Sequence, residues 1–174
     1  MKITFPKFFA AVLLSLVATA FSQEAQWITD YAKAIETAKS ENKAILLDFT
    51  GSDWCGWCMK MKQETLDTAQ FKHYAQKNLV LVELDFPKQK AQSEQEKEKN
   101  HQLKNQFQVH GYPSFVLLDK DGKELGRLTG YLQGGPAAFI AKLNTYYTPV
   151  SKGSNNSDDD FHSFFKKPAQ SPTP

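Results

Sequence analysis

The sequence contains very little cysteine, because only Cys55 and Cys58 occur among its 174 residues. This excludes a framework of disulfides between distant segments. A zinc site needs about four ligands, and no second cysteine pair is present to complete one. The four histidines do not replace that pair, since no two of them have the spacing of paired ligands: His73, His101, His110 and His162.

Excess charge of one sign is also missing. The formal charge is +2, and it comes from Lys2 and Lys7, so residues 23–174 are neutral. This balance gives no electrostatic reason to expect nucleic acid or an anionic membrane surface as a partner. With 41% hydrophobic and 23% charged residues, the chain has the composition and length of one domain with a core.

The sequence has no hydrophobic run of membrane-spanning length. Its apolar run, residues 8–21, follows Lys2 and Lys7, and no acidic residue occurs before Glu24. At about 1.5 Å per residue the run spans roughly 21 Å of a ~30 Å hydrocarbon core, which disfavours the alternative of a membrane anchor. We expect residues 1–22 to be a secretory signal peptide. The mature protein is then periplasmic, or secreted from a cell without a periplasm, and is not inserted in a membrane.

Hydrophobic periodicity after this segment predicts alternating helices and strands. The predicted helices cover residues 28–41, about 55–74 and the segment that begins at Pro136, and the predicted strands cover 44–49, 79–84, 114–118 and 123–129. An Asp-Gly pair between the last two strands is typical of a hairpin. This order predicts an α/β domain over residues 23–147, with a mixed central sheet and helices on both faces.

Two further segments are strongly polar. Residues 88–106 are almost wholly Lys, Gln, Glu and Asn, with Leu103 and Phe107 as late apolar positions. We expect a solvated helix there, and the alternative is a helix that docks a partner. Residues 148–174 are rich in Ser, Asn, Asp and Pro and are expected to be a disordered tail.

The residues that carry chemistry are Cys55 and Cys58, within the segment Trp-Cys-Gly-Trp-Cys at residues 54–58. Two thiols separated by two residues at the start of a helix can close a small disulfide, and the helix N-terminus stabilises a thiolate on the first. A four-residue ring constrains little of the unfolded chain, which disfavours a purely structural disulfide. The position between a predicted buried strand and a helix favours a redox-active pair.

The sequence resembles the thioredoxin superfamily over about residues 27–147. The resemblance lies in Leu-Leu-Asp-Phe at residues 46–49, the cysteine segment at 54–58 and Gly-Tyr-Pro-Ser-Phe at 111–115, and exported members with a Trp-Cys-Gly-Trp-Cys site are most similar. It implies a thioredoxin fold and a redox-active disulfide. It also implies that Cys55 attacks substrate disulfides and that Cys58 resolves the mixed disulfide.

The same resemblance implies that Pro113 is a cis-proline beside the cysteines. An X-Pro bond adopts the cis form at modest cost, and a residue without an N–H leaves the neighbouring backbone free to pair with a substrate strand. The alternative is an ordinary proline at a strand edge. We expect Trp54, Trp57 and Tyr112 to bind substrate as an apolar rim, with core packing an equal alternative for Trp54.

Asp48 is the candidate proton acceptor for the Cys58 thiol. The family places its buried aspartate six residues before the first cysteine, whereas Asp48 lies seven residues before Cys55, so a carboxylate that caps the turn is the alternative. Glu83 occurs where thioredoxin has a lysine. If Glu83 is buried near Asp48, like charges raise the pKa of at least one of them, whereas a Glu83 that points to solvent has no such effect.

The residues between the cysteines, Gly56 and Trp57, indicate the direction of the reaction. No histidine is present there to stabilise a thiolate, and a less stabilised thiolate lowers the reduction potential. We therefore expect an exported enzyme that reduces protein disulfides. An isomerase or oxidant with the same site and a metal-carrying thioredoxin-fold binding module are the alternatives. We expect a monomer without cofactor or resident metal, and the resemblance suggests a membrane electron donor of the DsbD type.

Overall fold

The computed structural model describes residues 26–148. The predicted signal peptide and, apart from Thr148, the predicted tail lie outside the described residues. In chain order the elements are β1 (Trp27–Ile28), α1 (Tyr31–Glu41), β2 (Ala44–Thr50), α2 (Gly56–Met61), a π-helical segment (Lys62–Leu66), α3 (Ala69–Asn78), β3 (Leu79–Asp85), α4 (Glu94–Gln106), β4 (Ser114–Leu118), β5 (Glu124–Thr129) and α5 (Gly135–Asn144). Within residues 26–148, no helix is both long and apolar enough to cross a membrane.

The five strands form one sheet in the order β1-β3-β2-β4-β5. β1, β3 and β2 are parallel, whereas β4 is antiparallel to both β2 and β5. One face is covered by α3 and α5, which bury Phe71, Phe139 and Leu143. The other face is covered by α1 and α4, which bury Ala38 and Leu103. The predicted mixed sheet with helices on both faces is confirmed.

β2 is the central strand, and all seven of its residues are buried. Successive side chains of a strand point to opposite faces of the sheet. Leu47 and Phe49 therefore pack in the core under α1 and α4, whereas Leu46 packs under α3 and α5. Asp48 alternates with Leu47 and Phe49, so its carboxylate lies on the α3 and α5 face.

The predicted start of the first helix is wrong. Ile28 belongs to the short strand β1 and pairs with Val82. The helix begins at Tyr31 because Asp30 caps it, with the Asp30 carboxylate accepting a hydrogen bond from the Lys33 N–H at 3.1 Å. Ile28 fits the helical spacing of apolar residues, but its side chain is partly buried as part of a strand.

The continuous helix predicted over residues 55–74 is also wrong, because the structure divides it into α2, the π-helical segment and α3. Thr68 adopts an extended conformation between the last two, and its Oγ1 accepts a hydrogen bond from the Phe71 N–H at 3.3 Å. The predicted strands and the last helix agree with the structure to within one residue at each end.

The polar segment 88–106 is helical only from Glu94 onward. Ser93 caps α4, and its Oγ accepts a hydrogen bond from the Glu96 N–H at 3.2 Å. The helix is not solvated on every side, because Asn100 and Leu103 are buried. The segment before it is a loop that lies beside the cysteines, as described below.

Candidate active site

The ends of three strands meet at one edge of the sheet. β2 and β3 are parallel and end together, with Thr50 opposite Asp85. β4 runs the other way and begins at the same edge, with Ser114 opposite Phe49. The cysteine segment that follows β2 and the Tyr112–Pro113 pair that precedes β4 are therefore brought to the same edge.

Cys55 and Cys58 form a disulfide with a Cα–Cα distance of 5.2 Å. Cys55 is the N-cap of α2, and its Sγ accepts a hydrogen bond from the Cys58 N–H at 3.2 Å. Once the disulfide is reduced, the same N–H and the helix N-terminus favour the thiolate form of Cys55. The start of α2 therefore accommodates both the oxidised disulfide and the reduced form with a Cys55 thiolate.

Exposed apolar side chains lie in and beside the segment that forms this disulfide. Among the described residues, the exposed large hydrophobic side chains all lie in or beside the cysteine segment, with Trp54 37%, Trp57 59% and Met59 46% exposed. Both cysteines are buried beside them. An exposed apolar patch of this kind marks an interaction site more often than a passive surface.

The Tyr112–Pro113 peptide bond is cis, as the resemblance implied. Pro113 is buried, and its carbonyl oxygen accepts a hydrogen bond from the Gly130 N–H at 2.8 Å. The proline is thereby held at the start of β4, at the edge that carries the cysteines. Its contribution to substrate binding stays a prediction.

Asp48 is buried, with 6% of its surface exposed, and its Oδ1 atom makes no hydrogen bond. Burial raises the pKa of this carboxyl well above its usual range, and the charge of Glu83 raises it further. Met61, which follows Cys58 by three residues, packs in the core on the same face of the sheet as Asp48. Oδ1 therefore caps no turn in this structure, and the role of Asp48 as proton acceptor stays a prediction.

Glu83 lies directly opposite Asp48 in the pairing of β2 with β3. It is half-buried, and burial raises the pKa of its carboxyl, while the positive charge of Lys62 acts to lower it. Lys62 acts in the same sense on Asp48. The structure therefore favours the interpretation in which two carboxyls share one poorly solvated place, with Lys62 as the nearby cation.

Trp54 is partly packed and partly exposed, so the packing alternative holds in part, and its contribution to substrate binding stays a prediction. Its Nε1 donates a hydrogen bond to the Phe86 carbonyl oxygen at 2.7 Å, and its ring meets the edge of Tyr112 at 5.7 Å between centroids. The indole lies over Gly51, where an added Cβ would be 2.5 Å from the ring. Only glycine fits beneath the indole at that position.

Trp57 contacts a different set of residues from Trp54. Its ring is tilted against Tyr131 at 5.4 Å between centroids, and the Lys60 Nζ lies near both rings. The Tyr131 hydroxyl donates a hydrogen bond to Glu64. Sequence reasoning missed Tyr131, because the turn after β5 that supplies it is far from the cysteines in the chain.

Sequence reasoning also missed the polar contacts that hold the cysteine segment to the loop after β3. The Asp53 carboxylate accepts hydrogen bonds from the backbone N–H groups of residues 88, 89 and 90, at 2.9, 2.7 and 2.8 Å. These contacts lower the pKa of Asp53. Ser52 donates from its N–H and Oγ to Asp85, at 2.9 and 2.6 Å. The polar turn before the cysteines indicated that hydrogen bonds could form there, but the residues that Ser52 and Asp53 contact lie more than 30 positions away in the sequence.

Among residues 26–148, no group of three or more His, Cys, Asp or Glu side chains is placed to hold a metal ion.

Comparison with known proteins adds to this geometry. The family described as "Thioredoxin-like domain" matches residues 31–147. The disulfide bond reductase DsbH of Chlamydia pneumoniae is 45% identical over 120 residues, which cover 69% of this chain and 71% of that protein. The thioredoxin-related protein DsbJ of the same organism is 32% identical over 105 residues, which are 60% of this chain and 30% of DsbJ.

A solved structure described as DsbH oxidoreductase superposes with a TM-score of 0.66 at 43% identity. The match covers 71% of this chain and 85% of that one. The fold agrees with this match, and the chain belongs to the thioredoxin-like family.

Proposed function

We propose that this protein is an exported thiol-disulfide oxidoreductase that reduces protein disulfides through Cys55 and Cys58. The observation that carries the proposal is the Cys55–Cys58 disulfide at the start of α2, surrounded by exposed aromatic rings. The similarity to a disulfide bond reductase over most of the chain supports the same activity.

The reaction transfers two electrons from the reduced pair to the substrate. The Cys55 thiolate attacks one sulfur of a substrate disulfide, so a Cys55–substrate disulfide forms and one substrate thiolate leaves and takes a proton. The Cys58 thiol then loses its proton, and its thiolate attacks Cys55 Sγ. This step closes the Cys55–Cys58 disulfide and releases the second substrate thiol.

Asp48 is the proposed acceptor of the Cys58 proton. A base is most effective when its pKa approaches the working pH, and burial and the charge of Glu83 both raise the pKa of Asp48 in that direction. The same carboxyl, once protonated, returns the proton to Cys58 when an electron donor opens the disulfide. Half-buried Glu83 lies opposite Asp48 on the neighbouring strand.

The compartment and the electron source follow from the direction of the reaction. Residues 1–22 have the pattern of a signal peptide, which supports a location in the periplasm or outside the cell. A reductant in an oxidising compartment must be reduced again by a donor, and a membrane reductase of the DsbD type has the required chemistry. The enzyme acts as a monomer without cofactor.

The first prediction concerns the two cysteines. The purified protein should catalyse reduction of insulin by dithiothreitol, and Cys55→Ser should abolish the catalysis because the attacking sulfur is lost. Cys58→Ser should instead accumulate a mixed disulfide at Cys55, detectable as a mass increase. Full activity of Cys55→Ser would contradict the proposed reaction. Stoichiometric binding of copper or zinc by the reduced wild type, without insulin reduction, would favour the metal-carrying alternative.

The second prediction concerns the reduction potential. Trp54 and Trp57 adjoin the cysteines, so their fluorescence should change on oxidation and allow an optical titration against a dithiol couple. With no histidine between the cysteines, we expect a potential of about −230 to −290 mV. A value above about −170 mV would indicate an oxidant or isomerase rather than a reductase.

The third prediction concerns the base. Asp48→Asn keeps the shape and removes the proton acceptor, so the mixed disulfide should form at a near-normal rate while its resolution by Cys58 slows about 10- to 1000-fold at neutral pH. Resolution should recover at alkaline pH, where the Cys58 thiolate forms unaided. Stopped-flow measurement resolves both steps. Coincident resolution rates for variant and wild type from about pH 6 to 8 would assign Asp48 a structural role only.

The fourth prediction tests the burial of Asp48 by stability. A carboxyl whose folded pKa is raised loses stability as pH rises from its unfolded pKa of about 3.9 through the folded value. Asp48→Asn removes that loss, so its urea midpoint should exceed the wild-type midpoint at about pH 8, and the difference should shrink toward about pH 4. Glu36→Gln, at an exposed carboxylate on α1, is the matched control and should show no such trend.

A further inference from the structure

Four aromatic rings form a continuous row from α4 to the disulfide. His101 of α4 meets Phe86 at 5.4 Å between centroids, and Phe86 contacts Tyr112 at 5.2 Å. Tyr112 meets Trp54 at 5.7 Å, and Trp54 directly precedes Cys55. We call these four residues the aromatic row. It lies on the α1 and α4 side of the sheet, opposite Asp48 and Glu83.

Two lysines lie on this row without a carboxylate partner. The Lys88 Nζ is 4.1 Å from the centre of the Trp54 ring. The Lys104 Nζ is 5.1 Å from the Tyr112 ring and 5.5 Å from the Phe86 ring. Among the described residues, neither lysine forms an ion pair within 4.0 Å. A ring face holds each ammonium group in position and leaves its charge unneutralised.

Two carboxylates beside the cysteine segment, Asp53 and Asp85, have hydrogen-bond partners other than Lys88 Nζ and Lys104 Nζ. Asp53 accepts three backbone N–H groups, and Asp85 accepts two hydrogen bonds from Ser52. The acidic residues of the first turn of α4, Glu94 and Glu96, lie at the opposite end of the helix from Lys104 in its last turn. The hydrogen bonds to Asp53 and Asp85 do not cancel the carboxylate charges, but they occupy the oxygens, so the charged groups that lie on the ring faces are the two ammonium groups.

We propose that the aromatic row with Lys88 and Lys104 is a docking surface for an acidic segment of the protein whose disulfide is reduced. The inference rests on the proposed function and adds a substrate preference to it. A carboxylate of the segment pairs with each ammonium group, and apolar side chains pack on the rings. Because the row ends at Trp54, a cystine next to that segment reaches the Cys55 sulfur. This assigns a role to the polar segment 88–106.

The test uses three synthetic peptides that each contain one disulfide and differ only in the residues that flank it. The flanking residues are Asp and Glu in the acidic peptide, Lys and Arg in the basic peptide, and Ser and Gln in the neutral peptide. Reduced protein is mixed with each peptide, the reaction is quenched with acid, and free thiols are alkylated and counted by mass. We expect the acidic peptide to react about 10-fold faster than the basic one at an ionic strength of about 0.01 M. The preference should disappear at about 1 M salt.

The variant Lys88→Glu/Lys104→Glu should reverse the preference, and Lys88→Gln/Lys104→Gln should bring the ratio of the two rates toward one. The matched control is Lys77→Glu/Lys123→Glu, which changes net charge equally at two exposed lysines near the opposite edge of the sheet. The control should keep the wild-type ratio. An unchanged ratio in both Lys88/Lys104 variants, or an equal change in the control, would overturn the docking surface. Failure of the wild type to reduce even the neutral peptide would instead contradict the proposed function.

Discussion

The arrangement of the site depends on the burial of β2 in the middle of the sheet. All of its residues are buried, and it pairs with β3 on one side and β4 on the other. A shift of one residue in either pairing would turn every side chain of the strand to the other face and expose the core. The register is therefore fixed by burial. It places Cys55 and Pro113 at one edge although 58 positions of sequence separate them.

The alternation of β2 also divides the chemistry between the two faces of the sheet. Asp48 and Glu83 lie on the face under α3 and α5, where the low polarity raises the pKa of both carboxyls. The aromatic row lies on the face under α1 and α4, where lysine charges remain accessible. The proposed proton transfer and the proposed recognition of the substrate thus use separate sides of one strand. A substitution on one face should change the property located there, because the substituted residue makes no direct contact with the residues on the other face.

Much of this architecture could be predicted from local sequence. Buried strands such as 79–84 are short apolar runs, and the two cysteines at a helix start carry a recognisable spacing. Helix limits were less predictable, because Ile28 satisfies the helical period but pairs as a strand, and Thr68 divides a helix whose apolar spacing continues. In both cases a capping side chain or a distant strand determines where the helix ends or begins, and hydrophobic periodicity gives no information about either.

The contacts that could not be predicted join residues that are distant in the chain. Nothing near Asp53 in the sequence identifies residues 88–90 as its partners, and nothing near Trp57 identifies Tyr131. The partial burial of Glu83 likewise follows from its pairing opposite Asp48, and the residues next to it in the sequence do not reveal it. Such contacts exist only once the sheet has formed, so single-sequence reasoning left the corresponding alternatives open.

The Asp53 carboxylate has one more consequence. Successive backbone N–H groups that converge on one point are a common means of binding phosphate and other anions. Here the anion belongs to the chain itself, so the loop at residues 88–90 carries its own permanent ligand and needs no solute to keep its shape. The same N–H groups lower the pKa of Asp53, which favours the ionised form that binds them. The shape of the loop beside the disulfide is thereby tied to a residue of the cysteine segment itself, so the two segments are held together by the same three contacts.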